Sequence, residues 1–94
     1  MAHDAPDLIA RARRARRRGE ARKALVALRE ACARDESAAW LYALYGALLA
    51  RQGRRDEAAV ALRHAVWLRR SAGDIARARS TQRLLDDLDV EHAA

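Results

Sequence analysis

One pattern occurs twice in the sequence: GEARKALVALREA at residues 19–31 and GRRDEAAVALRHA at residues 53–65. The second copy lies 34 residues after the first, and four landmarks keep this spacing. Small alanines let the two helices of a hairpin approach closely, and glycine permits the tight turn between them. The pattern therefore predicts a repeated hairpin of two helices. The paired landmarks are Gly19 and Gly53, Ala24 and Ala58, Leu28 and Leu62, and Ala31 and Ala65.

The rest of the chain predicts further helices and no strands. Only two Ile and four Val occur, without alternating runs, and there is no Asn-Gly or Asp-Gly turn. Pro6 suits a first helical turn, and glycines end the predicted helices. We therefore expect an all-α fold of five helices with short turns. Their approximate ranges are 6–18, 20–34, 38–52, 56–71 and 74–90.

The third and fifth predicted helices differ in how their apolar residues are arranged. The third is apolar almost all round, which is typical of a helix covered on several sides. The fifth begins after Asp74, a suitable N-cap, and has one apolar face. That face has more apolar residues than a polar cap needs, so we expect it to be the surface of a homodimer. Its predicted residues are Ile75, Ala78, Leu84, Leu85 and Leu88.

The second hairpin resembles the tetratricopeptide repeat family, whose 34-residue repeat follows W-x₂-L-G-x₂-Y…A-x₃-F…P. Arg70 stands in place of the closing proline. The first hairpin resembles the repeat less closely, and Glu36 replaces its proline. The matching positions in the second hairpin are Tyr42 for Trp, Tyr45-Gly46 for Leu-Gly, Leu49 for Tyr, Ala58 with Leu62 for A-x₃-F, and Ala65 for the later small residue.

The resemblance implies a short antiparallel helix-hairpin solenoid within a single domain, residues 1–94. Repeat one would span about residues 5–38 and repeat two about residues 39–72. A capping helix would follow at about residues 74–90. Because each repeat buries its apolar face only against its neighbours, two and a half repeats are close to the minimum for a solenoid.

The net charge of +6 is concentrated in one block. Outside this block the basic and acidic residues balance, with Lys23 the only lysine. The preference for arginine can simply reflect a GC-rich genome, and the block can be a solvated charged face. The six arginines of the block are Arg11, Arg13, Arg14, Arg16, Arg17 and Arg18.

The resemblance also predicts a site. In tetratricopeptide repeats the first helix of each pair lines a concave groove, and converging guanidinium groups there would bind carboxylates or phosphates. The family's Lys/Asn carboxylate clamp is not predicted, because the chain has no asparagine. The residues assigned to partner binding are Arg13, Arg16, Arg17, Arg51 and Arg77, with Trp40 and Ile9 for apolar contact.

No motif indicates catalysis, a metal or a cofactor. His3, His64 and His92 are far apart and lack a second ligand one helical turn away. Cys32 falls where the repeat buries a small apolar side chain, so we expect a core thiol. Walker-type and G-x-S-x-G motifs are also missing. We therefore expect a protein that is not an enzyme and holds no cofactor.

Three functions remain open from the sequence. The leading one is a cytoplasmic adaptor that holds an acidic protein segment in a basic concave groove. The second is nonspecific nucleic-acid binding through the Arg11–Arg18 block, although this block lacks stacking aromatics. The third is a structural subunit that associates with itself through the fifth helix.

For Trp67 we expect partial burial or a place on a convex interface. No membrane span and no secretory signal are predicted.

Overall fold

The computed structural model describes residues 4–93, with side chains described through residue 89. The all-α prediction is confirmed: the described residues form helices and turns and include no strand. The predicted helix order is also confirmed, with bounds that differ by a few residues. The helices are α1 (Ala5–Arg17), α2 (Ala21–Arg34), α3 (Ala39–Arg51), α4 (Arg55–Ser71) and α5 (Ile75–Ala93).

The helices fall into two compact units, Met1–Glu36 with α1 and α2, and Ser37–Ala94 with α3, α4 and α5. The boundary between the units lies close to the predicted boundary between the two repeats. We call them the N-terminal and the C-terminal unit.

In the N-terminal unit, α1 and α2 pack against each other as a hairpin. Asp4 caps α1 by accepting a hydrogen bond from the backbone N–H of Asp7 at 3.1 Å. The hairpin core holds Leu8 and Leu28, both fully buried, surrounded mainly by alanines. Because alanine side chains are short, the two helices can pack at close range. The small residues of this core are Ala12, Ala15, Ala24, Ala27, Ala31 and Cys32.

The turn between α1 and α2 is a Schellman motif centred on Gly19, whose φ is 74°. The N–H of Gly19 donates to the carbonyl of Arg16, and that of Glu20 donates to the carbonyl of Ala15 at 2.8 Å. Only glycine adopts this positive φ without a steric cost, so the prediction that a glycine ends the helix is confirmed. The same pair of hydrogen bonds recurs at Gly53 and Gly73 in the C-terminal unit.

In the C-terminal unit, α4 packs against both α3 and α5. Every residue of α3 from 41 to 50 is at least half-buried, as predicted for a helix that is apolar all round. Within the α3–α4 contact, Gly46 lies directly against the buried Leu62. Gly46 matches the glycine of the repeat pattern, and at this contact it is a packing position.

The predicted apolar face of α5 needs a correction, because its five residues do not share one environment. Ala78, Leu85 and Leu88 are buried, but Ile75 and Leu84 are 51% and 44% exposed. The buried stripe instead includes Thr81, a polar residue that the apolar pattern passed over. Its Oγ1 donates to the carbonyl of Arg77 at 2.8 Å and accepts a hydrogen bond from the guanidinium of Arg69. With its polar atom satisfied in this way, Thr81 can be buried between α4 and α5.

Candidate partner-binding surfaces

The predicted arginines of α1 lie on its exposed surface. Arg13, Arg16 and Arg17 are all exposed, and Ile9 is half-buried beside them. Among the described residues, none of these three guanidinium groups takes part in a hydrogen bond or ion pair. They form a charged flank of the N-terminal unit, and none of the three lines the groove described next.

A groove does exist in the N-terminal unit, and it lies on the other flank of α1. Its volume is about 540 Å³, and it runs between α1 and α2. The floor is apolar, with Ala15, Ala27 and the 55% exposed Val26. Two carboxylates, Glu20 and Glu30, also line it. We call it the α1–α2 groove, and its basic residues are Arg11, Arg14, Arg18, Arg22 and Lys23.

Positive charge dominates the α1–α2 groove. Glu20 is held by Lys23, with 2.6 Å between carboxylate oxygen and Nζ. This hydrogen bond is the main reason why the pKa of Glu20 lies below its ordinary value. The guanidinium groups of Arg14, Arg18 and Arg22 form no hydrogen bond or ion pair with any described residue. The groove therefore presents guanidinium groups with their donors available to a ligand.

Sequence reasoning missed this groove for a simple reason. Helical geometry placed Arg11, Arg14 and Arg18 together on one flank of α1. Which flank forms a groove with α2 depends on how the two helices cross, and no residue pattern within α1 specifies it. Arg22 and Lys23, which complete the groove from α2, are nearly adjacent in sequence to Arg18 across the turn that follows α1. That proximity across a tight turn is the one signal that could have indicated it.

Two of the predicted site residues meet in the C-terminal unit. Trp40 and Arg77 both line a pocket of about 510 Å³ between the start of α3, the end of α4 and the start of α5. Trp40 is 49% exposed, and the guanidinium of Arg77 pairs with Asp74 at 3.3 Å. Leu68 provides an apolar wall.

Arg51 does not join Trp40 and Arg77 in this pocket. It is exposed at the last residue of α3, whereas Trp40 is in the first turn of the same helix. At a rise of about 1.5 Å per residue, roughly 16 Å of helix separates them. A single small ligand in the pocket beside Trp40 would therefore not reach Arg51.

The outer face of α4 exposes two large apolar residues that the sequence analysis did not assign to a ligand. Val60 and Trp67 are each 62% exposed. The ring of His64 stacks on Trp67 with 6.1 Å between centroids and 19° between planes, and meets Tyr42 edge to face at 4.3 Å. The stack on His64 limits the positions open to the indole of Trp67 on this surface.

The chemistry of the remaining candidates is limited. Cys32 is buried in the N-terminal unit, and this burial raises the pKa of its thiol to about 11. A thiol with such a pKa is a poor nucleophile near neutral pH. Within the described part of the chain, no three His, Cys, Asp or Glu residues cluster in a way that could hold a metal ion. His3 and the side chain of His92 lie outside the described residues.

A search for similar proteins gives no match. No protein-family model, no curated protein and no solved structure matches the chain. Among the described helices, none combines the length and apolar character needed to cross a bilayer.

Proposed function

We propose that this chain is a non-enzymatic adaptor, similar to tetratricopeptide repeat proteins, that binds an acidic segment of a protein partner. The observation that carries the proposal is the α1–α2 groove, where the guanidinium groups of Arg14, Arg18 and Arg22 surround an apolar floor and make no ion pair with any described residue. The sequence contains one cysteine and therefore forms no disulfide within itself, which fits a reducing, cytoplasmic setting.

Carboxylates are the ligands that best match this groove. A guanidinium group can donate two parallel hydrogen bonds to one carboxylate, which gives both charge neutralisation and a defined orientation. Arg14 and Arg18 lie one helical turn apart on one flank, so like-charge repulsion between them slightly destabilises the free protein. An acidic ligand relieves this repulsion on binding.

The same groove favours a protein segment over a nucleic acid. Its floor of Ala15, Val26 and Ala27 suits an aliphatic side chain, and no aromatic residue lines it for base stacking. Glu20 and Glu30 on its walls would repel a continuous run of phosphates. An acidic peptide with interspersed apolar residues has a lower charge density than a phosphate backbone, so this repulsion is weaker, and its apolar side chains contact the floor. Nucleic-acid binding remains the alternative and is an outcome of the test below.

The test compares the α1–α2 groove with the opposite flank of α1. The groove variant is R14Q/R18Q/R22Q, and the matched control is R13Q/R16Q/R17Q, which removes the same charge from residues that do not line this groove. The probe is a fluorescein-labelled peptide of alternating Glu and Leu, followed by fluorescence anisotropy at increasing salt. We expect the groove variant to bind at least about tenfold more weakly than the control. Salt should weaken wild-type binding, because exposed charges are screened over about 8–10 Å.

Three results would contradict the proposal. One is an equal loss of peptide affinity in both variants, which indicates a nonspecific charge effect. Another is a loss of peptide affinity in the control alone, which assigns binding to the flank of Arg13, Arg16 and Arg17 that the repeat resemblance predicted. The third is displacement of the peptide by a single-stranded oligonucleotide of much higher affinity, which supports nucleic-acid binding instead. Circular dichroism of each variant confirms that the helices are intact.

A further inference from the structure

The outer face of α4 carries a stripe of five exposed residues at spacings of four, three, four and three. At these spacings the residues share one side of a helix. The stripe is opposite the buried face formed by Ala58, Leu62 and Ala65. We call it the α4 stripe, and its residues are Asp56, Val60, Arg63, Trp67 and Arg70.

The α4 stripe is complementary to itself. From Asp56 to Arg70 its residues are acidic, apolar, basic, apolar and basic. In the opposite direction they are basic, apolar, basic, apolar and acidic. When a second copy of α4 is laid antiparallel against the first, Asp56 lies opposite Arg70 of the second copy, and Val60 lies opposite Trp67 of the second copy. Two-fold symmetry repeats both pairs, and Arg63 lies near the axis. Contacts that recur in this reciprocal way define an isologous interface.

We propose that two copies of this chain associate through the α4 stripe as an antiparallel, two-fold symmetric dimer. Within the described residues, the side chains of Asp56 and Arg70 have no hydrogen bond or ion pair, so both are available to a partner. Trp67 is already held by its stack on His64, which lowers the entropy lost on binding. Beside Trp67 a shallow groove of about 350 Å³ between α4 and α5 receives side chains of the second copy.

Other occupants fit the stripe less well. An acidic protein segment or a nucleic acid would place negative charge against Asp56. The fifth helix, which the sequence predicted as the dimer surface, has no comparable stripe among its described side chains. Its exposed apolar residues Ile75 and Leu84 are nine positions apart, which corresponds to opposite sides of a helix.

The interface is small and is centred on a single pair of helices. Interfaces of this size lie at the weak end of specific association. Arg63 near the axis also faces its own copy, which adds a like-charge repulsion. The proposed dimer is therefore in exchange with the monomer, and its population rises with protein concentration.

The decisive experiment is a charge exchange followed by sedimentation equilibrium. D56R places two positive charges against each other at both ends of the dimer, and R70D places two negative charges there. We expect each variant alone to dimerise about tenfold more weakly than the wild type. An equimolar mixture of D56R and R70D should regain dimers, because each end of the mixed pair then joins a positive charge of one copy to a negative charge of the other. W67A should weaken association by about tenfold or more.

The matched controls are D87R and R79D on the exposed surface of α5, which change charge in the same way outside the stripe. We expect both to associate like the wild type, and melting curves check that all variants fold. A wild type that stays monomeric at every concentration would overturn the proposal. A mixture of D56R and R70D that stays monomeric would also overturn it. So would controls that weaken association as much as D56R and R70D do. If the stripe variants associate like the wild type but lose binding of the acidic peptide, α4 is a docking face for another protein, and the dimer is excluded.

Discussion

Gly46 of α3 and Leu62 of α4 are so close that a Cβ atom at position 46 would come within 2.8 Å of both Cγ and Cδ2 of Leu62. It would also lie 3.3 Å from the carbonyl oxygen of Ala58. Leu62 is fully buried and cannot swing into solvent. The distance between the two helices at this contact is therefore set by the missing side chain of Gly46.

Replacing Gly46 should loosen the C-terminal unit. A Cβ at this site overpacks the contact at a cost of about 1–3 kcal/mol, whereas alanine gains about 1 kcal/mol in helix propensity. We expect G46A to lose roughly 0–2 kcal/mol and G46L to lose more, because a leucine has no space against Leu62. Urea unfolding followed by circular dichroism measures both. Equal midpoints for wild type, G46A and G46L would show that the helices are not in close contact here.

The buried hydroxyl of Thr81 should contribute to the packing of α5 on α4. T81V keeps the shape but removes the group that accepts a hydrogen bond from Arg69 and donates one to the carbonyl of Arg77. We expect a loss of about 1 kcal/mol in the free energy of unfolding. S80A is the matched control, because Ser80 makes a similar bond to the carbonyl of Ala76 but is exposed. A loss in S80A as large as in T81V would argue against a special role for Thr81.

Cys32 should make stability depend on pH in the alkaline range. Burial raises the pKa of its thiol from 9.0 to about 11, so the folded protein holds this proton more tightly than the unfolded chain. Stability should be unaffected below pH 9 and should fall as the pH rises from about 9 to 11. We expect the urea midpoint of the wild type to fall more steeply over this range than that of C32A. If the urea midpoints of wild type and C32A fell in parallel as the pH rises, the thiol of Cys32 would not be the cause of the pH dependence.

Arg63 should oppose the proposed dimer while its neighbours support it. R63Q removes the like charge near the two-fold axis and keeps a side chain of similar length. Because exposed charge interactions are worth about 0.2–1 kcal/mol, we expect association to strengthen by roughly twofold to fivefold. Arg29 occupies the position 34 residues earlier, on the exposed face of α2, and R29Q is the control. Weaker association of R63Q than of the wild type would contradict this arrangement, because the guanidinium of Arg63 would then make a favourable contact across the interface.

Much of the local structure follows from short-range features of the sequence. Glycines at 19, 53 and 73 end their helices with positive φ, and Asp74 caps α5 with a hydrogen bond from the N–H of Arg77. Cys32 is buried as the repeat pattern predicts. The start of α3 departs from these local preferences: Ala38 is its N-cap, although the neighbouring Ser37 is a better N-cap residue. Ala38 is itself buried, so packing decides where this helix begins.

The sequence by itself determined the helices and their turns, because these depend on backbone preferences and on side-chain size at a regular spacing. Only the tertiary structure decided which residues beside each apolar stripe are covered and how close Gly46 lies to Leu62. It buried Thr81 and exposed Leu84 on α5, and it placed Arg14 and Arg18 beside the α1–α2 groove. The physical reason is that the helical period defines faces, whereas the angle at which a neighbouring helix crosses selects the face that loses contact with water.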